Sequence, residues 1–187
     1  MINANELKRK MVIEVEGQPW LVLEVFFASP TARGASTMVR AKVRNLLTGN
    51  VLEKNFKTSE KFQESDVEKT KASFLYADTD SYHFMDETSF EQFSFTAAKI
   101  GDMKFYLKEG VALEALRYNG HVISFDLPPY VELKVITAAP GMKGDSAGSG
   151  TKQATLETGL EVRVPQYIQE GDVVRVNPET GEVAGRA

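Results

Sequence analysis

TMVRAKVRNLL, residues 37–47, alternates apolar and polar side chains with a period of two. In an extended chain successive side chains point to opposite faces, so this run places Met38 or Val39 and its period-two partners on one face and Arg40, Lys42 and Arg44 on the other. The flanking segments carry the same signature. MVIEVEG (11–17) alternates, WLVLEVFFA (20–28) is a denser apolar run, and the Gly17-Gln18-Pro19 turn between them predicts a hairpin. Leu47-Thr48-Gly49-Asn50 turns the chain into VLEKNFKT (51–58). Four or five short antiparallel strands in about 60 residues predict a small barrel of SH3-like type.

Further along, SEKFQESD (59–66) is charged and almost free of large apolar side chains, which predicts a boundary. A second strand series follows: VEKTKASFLYAD (67–78), SYHFMD (81–86), FEQFSF (90–95), MKFYL (103–107), VALEALRYN (111–119) and HVISFDL (121–127). TAAKIGD (96–102) fits one helical turn, and Asn119-Gly120 is a two-residue hairpin signal. Leu127-Pro128-Pro129 interrupts the sheet pattern, because proline cannot donate to a ladder, and marks a second boundary. The last third repeats the theme with YVELKVITA (130–138), QATLET (153–158), LEVRVPQYI (160–168) and DVVRVNPETGEV (172–183). Two successive five-strand units suggest paired OB-type barrels. Each is near the lower size limit for a stable core, so packing between neighbours should matter.

The apolar and charged fractions of the 187 residues, 42% and 26%, are those of a soluble globular protein. No run approaches the roughly 18 apolar residues of a membrane span, and the first residues lack the apolar core of a signal peptide. A cytoplasmic location is expected. The absence of cysteine excludes disulfides and thiolate metal sites. The net charge of -4 is unevenly divided. Residues 1–64 hold 10 Lys and Arg against 7 Asp and Glu, a net +3, whereas residues 65–127 carry -5 and residues 128–187 carry -2. Only the N-terminal third is suited to phosphates.

Enzymatic motifs fail on inspection. His83 and His121 are the two histidines, without HExxH spacing, and His83 lies in an aromatic strand where a packed or half-exposed histidine is the better expectation. GDSAGSGTK (144–152) ends in lysine but misses the P-loop spacing, since Ser149 stands five places after Gly144 where glycine is required. Composition makes this segment a flexible loop or a contact loop whose glycines let backbone amides approach a phosphate or base. Asp78, Asp80, Asp86 and Glu87 are expected on turns and on a solvated acidic surface. No catalytic residue, metal or cofactor is expected.

Two features point to RNA. Arg40, Lys42 and Arg44 form a cationic stripe, and Lys54 and Lys57 lie on a strand expected to pair nearby; such a stripe neutralises phosphates, or is simply the polar outer face of an amphipathic strand. SPTARGAST (29–37) sets Arg33 among small residues: Pro30 stiffens the entry, Gly34 permits a positive backbone angle, and Ala32, Ala35 and Ser36 occlude little. Such a loop is either a solvated surface connection or a narrow hairpin tip carrying a guanidinium into a crevice.

SPTARGA, LLTG followed by EKNFK, FLYAD with YHFMD and FEQ, and LPPYVELKV with APGMKGDSAGSGTKQATLETGLEVRVPQYIQEGD occur in one order along the whole chain. Together they resemble the bacterial elongation factor P family, and the SPTARGA tip is most similar to its elongation factor P-like (YeiP-type) subfamily. The resemblance implies an all-β chain of three small barrels in an L-shaped, tRNA-like arrangement: an SH3-like (KOW-like) domain over 1–64, a central OB domain over 65–128 and a C-terminal OB domain over 129–187. It implies a non-enzymatic, monomeric factor that binds the 70S ribosome, on both subunits, between the peptidyl and exit sites and relieves polyproline stalls.

Carried onto this chain, the loop approaching the acceptor end of the peptidyl-tRNA is Pro30, Thr31, Ala32, Arg33, Gly34, Ala35 and Ser36, with Arg33 at its tip. The loop facing the small subunit is Gly144, Asp145, Ser146, Ala147, Gly148, Ser149 and Gly150. Ribosomal RNA or tRNA phosphates would fall to Arg40, Lys42, Arg44, Lys54 and Lys57. Typical family members carry a shorter PGKG or PGRG tip whose cation is often enzymatically extended; here Thr31-Ala32 make the tip one residue longer, which suits an unmodified arginine. The rival reading, a general single-stranded nucleic-acid binder built on OB barrels, requires strong binding by the two units that carry net negative charge.

Overall fold

The fold is taken from a computed structural model that describes residues 1–28, 37–140 and 150–187. Nearly all the apolar runs become strands, which form three barrel-like sheets. The first contains β1 (Ile2–Asn3), β2 (Val12–Val15), β3 (Gln18–Ala28), β4 (Met38–Asn45), β5 (Val51–Lys57) and β6 (Lys61–Glu64), in the order β1-β6-β2-β3-β4-β5. Its β2–β3 turn lies earlier than expected. Glu16 and Gly17 both have positive φ, 54° and 73°, the backbone that a two-residue hairpin requires, so Gln18 and Pro19 belong to β3.

Within β3 the register slips between Val22 and Glu24, a bulge of one residue. The charged segment 59–66 is also more than a spacer, because β6 pairs with both β1 and β2 and buries Phe62 edge-on against Phe56, with ring centroids 4.7 Å apart. Its single large apolar residue falls on the core face, which a count of charges over the segment hides. Ile13, Trp20, Val22, Val39, Ala41 and Val43 complete the core around this pair. Each large side chain among them contributes about 1.5–3 kcal/mol on burial.

The second sheet holds β7 (Val67–Ala77), β8 (Ser81–Asp86), β9 (Gln92–Thr96), β10 (Ala112–Tyr118) and β11 (His121–Asp126), in the order β11-β10-β7-β8-β9. Phe84 is fully buried at its centre, its ring centroid 5.0–5.8 Å from those of Phe74, Phe93, Phe95 and Phe125. The helical turn expected at 96–102 is present as α1 (Ala97–Ile100), with the Thr96 hydroxyl accepting the Lys99 N–H. It continues as a 3-10 helix over Gly101–Tyr106, so MKFYL is not a strand. The short apolar run is ambiguous between strand and helix when read by pattern alone.

Asp86 corrects a second expectation. It is 1% exposed rather than solvated, and accepts the Thr70 hydroxyl at 2.7 Å and the N–H groups of Thr88 and Ser89 at 2.9 and 3.0 Å.

The third sheet holds β12 (Val131–Ala138), β13 (Thr151–Leu156), β14 (Glu161–Pro165), β15 (Val173–Val176) and β16 (Val183–Arg186), in the order β14-β13-β12-β15-β16. DVVRVNPETGEV is therefore two strands. Asn177 ends the first by accepting the N–H groups of Glu179 and Thr180, a side-chain turn that competes with the ladder.

The described chain divides into two compact units, one of residues 1–69 with 116–124 and the other of 70–115 with 125–187. In the first unit, Leu46, Leu116 and Ile123 form a small core of their own, packed by Val12, Leu21, Val67 and Tyr118. In the second, Tyr106 and Val111 pack against the core of the third sheet. There the Thr158 hydroxyl donates to the Phe105 carbonyl at 2.6 Å and Lys108 pairs with Glu157 at 3.0 Å. Burial raises the Glu157 pKa, but the Lys134 backbone N–H and the Lys108 ammonium outweigh it and hold the carboxyl below its ordinary value. No described helix is long and apolar enough to cross a membrane.

Candidate nucleic-acid interface

β-Branched and aromatic side chains favour the extended backbone of β3, and alternation does the same for β4. The two pair antiparallel from Trp20–Asn45 to Ala28–Met38. Residues 29–36, which include Pro30, Thr31, Ala32, Arg33, Gly34, Ala35 and Ser36, lie outside the described residues. The chain leaves β3 and re-enters β4 at a cross-strand pair, so the ends of this connection are held about 5 Å apart.

Alternation along β4 follows the sequence. Val39, Ala41 and Val43 are buried, Arg40 is exposed, and Lys42 and Arg44 are partly covered. Residues directly opposite on neighbouring strands share a face, and the register sorts the five proposed cations. Arg40 lies between Phe26 of β3 and Asn55 of β5; Lys42 lies between Glu24 and Glu53; Arg44 lies between Leu21 and Val51; Lys57 lies beside Met38.

Lys54 stands apart from the others. It is paired with buried Ala41, and its ammonium sits 4.9 Å from the centroid of the Trp20 ring, a cation–π contact that screens the indole from water. Four of the five cations therefore share one face, and one of those four is flanked by carboxylates.

Phe26 and Phe27 were not singled out by the sequence, where they close a dense apolar run. The structure leaves them 54% and 58% exposed. The signal that would have found Phe26 is its pairing with Arg40, which depends on the bulge.

In the third sheet, Gly144, Asp145, Ser146, Ala147, Gly148 and Ser149 lie outside the described residues, and Gly150 is the first described residue after them. The ends of this connection are tied by β12–β13 pairing, Ala138 opposite Ala154, and by the Ala139 N–H donating to the Gln153 carbonyl at 3.0 Å. A Cβ at Gly150 would come within 3.1 Å of Gln166 Nε2. Glycine there lets the Gln166 side chain close over the backbone.

His83 is half-buried, as its aromatic strand suggested. Its ring stacks on Tyr76 at 4.6 Å and its Nε2 donates to Asp78 at 2.7 Å. That hydrogen bond, with the N–H groups of Asp80 and Ser81, holds the Asp78 carboxyl below the usual carboxylate range. The arrangement fastens the β7–β8 turn.

Comparison with known proteins is consistent along the chain. Residues 3–62 match the family described as elongation factor P KOW-like domain, residues 67–125 the elongation factor P OB domain, and residues 131–186 the elongation factor P C-terminal family. Elongation factor P of Moorella thermoacetica is 43% identical over 187 residues, covering 100% of both chains. That of Natranaerobius thermophilus is 42% identical, covering 100% of this chain and 98% of the relative. Elongation factor P 1 of Geobacter sulfurreducens is 40% identical over 100% of each. Among solved structures, an initiation factor 5A from Methanococcus jannaschii aligns with a TM-score of 0.45 at 18% identity, covering 67% of this chain and 93% of that one.

Proposed function

This chain belongs to the elongation factor P family, and from that premise we propose that it binds the ribosome between the peptidyl and exit sites and promotes peptide-bond formation at polyproline-type stalls. What supports the reading is the full-length family match, together with the β3–β4 register, which pairs Ala28 with Met38 one row from exposed Arg40 and beside Lys57. Proline is a poor nucleophile and constrains the nascent chain. Holding the acceptor end of the peptidyl-tRNA restores the orientation of the reacting ends, and good orientation is worth several kcal/mol, up to about 7–11 in favourable cases.

Arg33, at the tip of Pro30–Ser36, supplies that contact through the backbone of the acceptor end. Arg40 and Lys57 hold phosphates beside it, Arg44 contributes further along, and Lys42 and Lys54 contribute least given their neighbours. The Gly144–Gly150 loop faces the small subunit. Boundaries at 64/65 and 128/129 separate the three domains. The SPTARGA tip supports membership of the elongation factor P-like subfamily, working with an unmodified arginine. The factor acts as a cytoplasmic monomer without covalent chemistry of its own.

Arg33→Ala tests the reading. Relief of stalling on a polyproline reporter should be abolished while circular dichroism and melting stay unchanged; undiminished relief would overturn it. Binding to free single strands as tight as to ribosomes would favour the general single-strand binder instead.

A further inference from the structure

The face that carries Arg40 sorts its chemistry by row. At Lys42 one cation stands between two carboxylates, Glu24 and Glu53. One row nearer to the Ala28–Met38 end, Phe26, Arg40 and Asn55 lie side by side on three adjacent strands, all exposed, and the next row places Lys57 beside Met38. These two rows hold two cations and no carboxylate. Direct cross-strand neighbours are about 5 Å apart, so ring, guanidinium and amide fit within the reach of one nucleotide.

Each group offers a different part of nucleotide recognition. An exposed phenyl face stacks a base, a guanidinium takes a phosphate, and a carboxamide presents both a donor and an acceptor to a base edge. We propose that Phe26 stacks an unpaired base of the tRNA acceptor end, with Arg40 on its phosphate and Asn55 at its edge. This rests on the reading that the hairpin faces peptidyl-tRNA. Charge selects a polyanion over a protein surface, and stacking selects an unpaired strand over a duplex. The acceptor end is the unpaired strand which that reading brings to this hairpin.

The test uses the full-length protein carrying a benzophenone side chain at position 26, bound to ribosomes stalled on consecutive proline codons. Irradiation should give an adduct on the unpaired acceptor nucleotides of the tRNA. An adduct on ribosomal RNA or on a ribosomal protein would overturn the proposal. In parallel, Phe26→Tyr keeps the aromatic face and should retain ribosome binding and relief of stalling. Phe26→Leu keeps apolar bulk without it and should bind about 10-fold more weakly, with unchanged melting. If Phe26→Leu matches the parent while Arg33→Ala is inactive, stacking is wrong and the broader function stands. If both variants match the parent, the broader function fails as well.

Discussion

Asp172 shows how much one carboxylate is held by its surroundings. It accepts the Gln169 backbone N–H at 2.8 Å and the Arg186 guanidinium at 2.6 Å, and these, in that order, depress its pKa. A depressed folded-state value means that its stabilisation is complete above the unfolded value, about 3.9, and is lost as pH falls through the lower folded one. Asp172→Asn should therefore lower Tm at neutral pH, and the gap should close as pH falls through the depressed folded-state value. A gap that stays constant across a melting series would contradict this account. Asn45, Asp78, Asp86 and Asn177 share a different motif, each accepting the N–H groups two and three residues ahead. The turns were legible in part because side-chain type announces them. Burial was not, since Asp86 and Asp78 make the same turn and part at the second oxygen, which meets the Thr70 hydroxyl in Asp86 and His83 in Asp78.

Among the elements, the β2–β3 hairpin depends on two left-handed residues, and only the second is glycine. A Cβ at Gly17 would meet nothing within 4 Å, so Gly17→Ala isolates the backbone cost, about 1–2 kcal/mol. Glu16→Asn should move stability the other way, because Asn-Gly is the favoured pair for such a turn. Urea unfolding of the two variants should show midpoints displaced in opposite directions. Alternation made the strands of all three sheets legible, β4 most plainly. MKFYL was not legible, because five apolar and basic residues carry too few periods to separate a strand from a 3-10 turn. Phe26 was hidden for a related reason: a dense apolar run does not reveal which member faces outward.

For the whole molecule, the restart of strand patterning after a charged segment and after Pro128-Pro129 announced three barrels. What covers what was not announced, since periodicity identifies a buried face without its partner. Leu46 is 2% exposed and packs with Leu116 and Ile123, some 70 positions later in the chain. A fragment of residues 1–64 should therefore be less stable than the same segment in the full chain, by about 1.5–3 kcal/mol for the uncovered Leu46 alone. Comparing the Gly17→Ala-sensitive transition of full-length protein with the unfolding of the fragment measures the difference; equal stability would mean that the small core contributes nothing.

The bulge in β3 acts on parity. Trp20 and Val22 point into the first barrel, and strict alternation would send Glu24 and Phe26 after them. The additional residue between Val22 and Glu24 advances the phase by one, so that Val25 packs inward and Phe26 emerges beside Arg40. Deleting that residue would set Glu24 directly after Val22 in a regular ladder with the ring still outward; straightening the bulge with every residue kept would instead aim the carboxylate at the core and withdraw the ring from the surface. The side on which the ring emerges is thus set by one point of uneven pairing, where two residues of one strand oppose a single step of its neighbour.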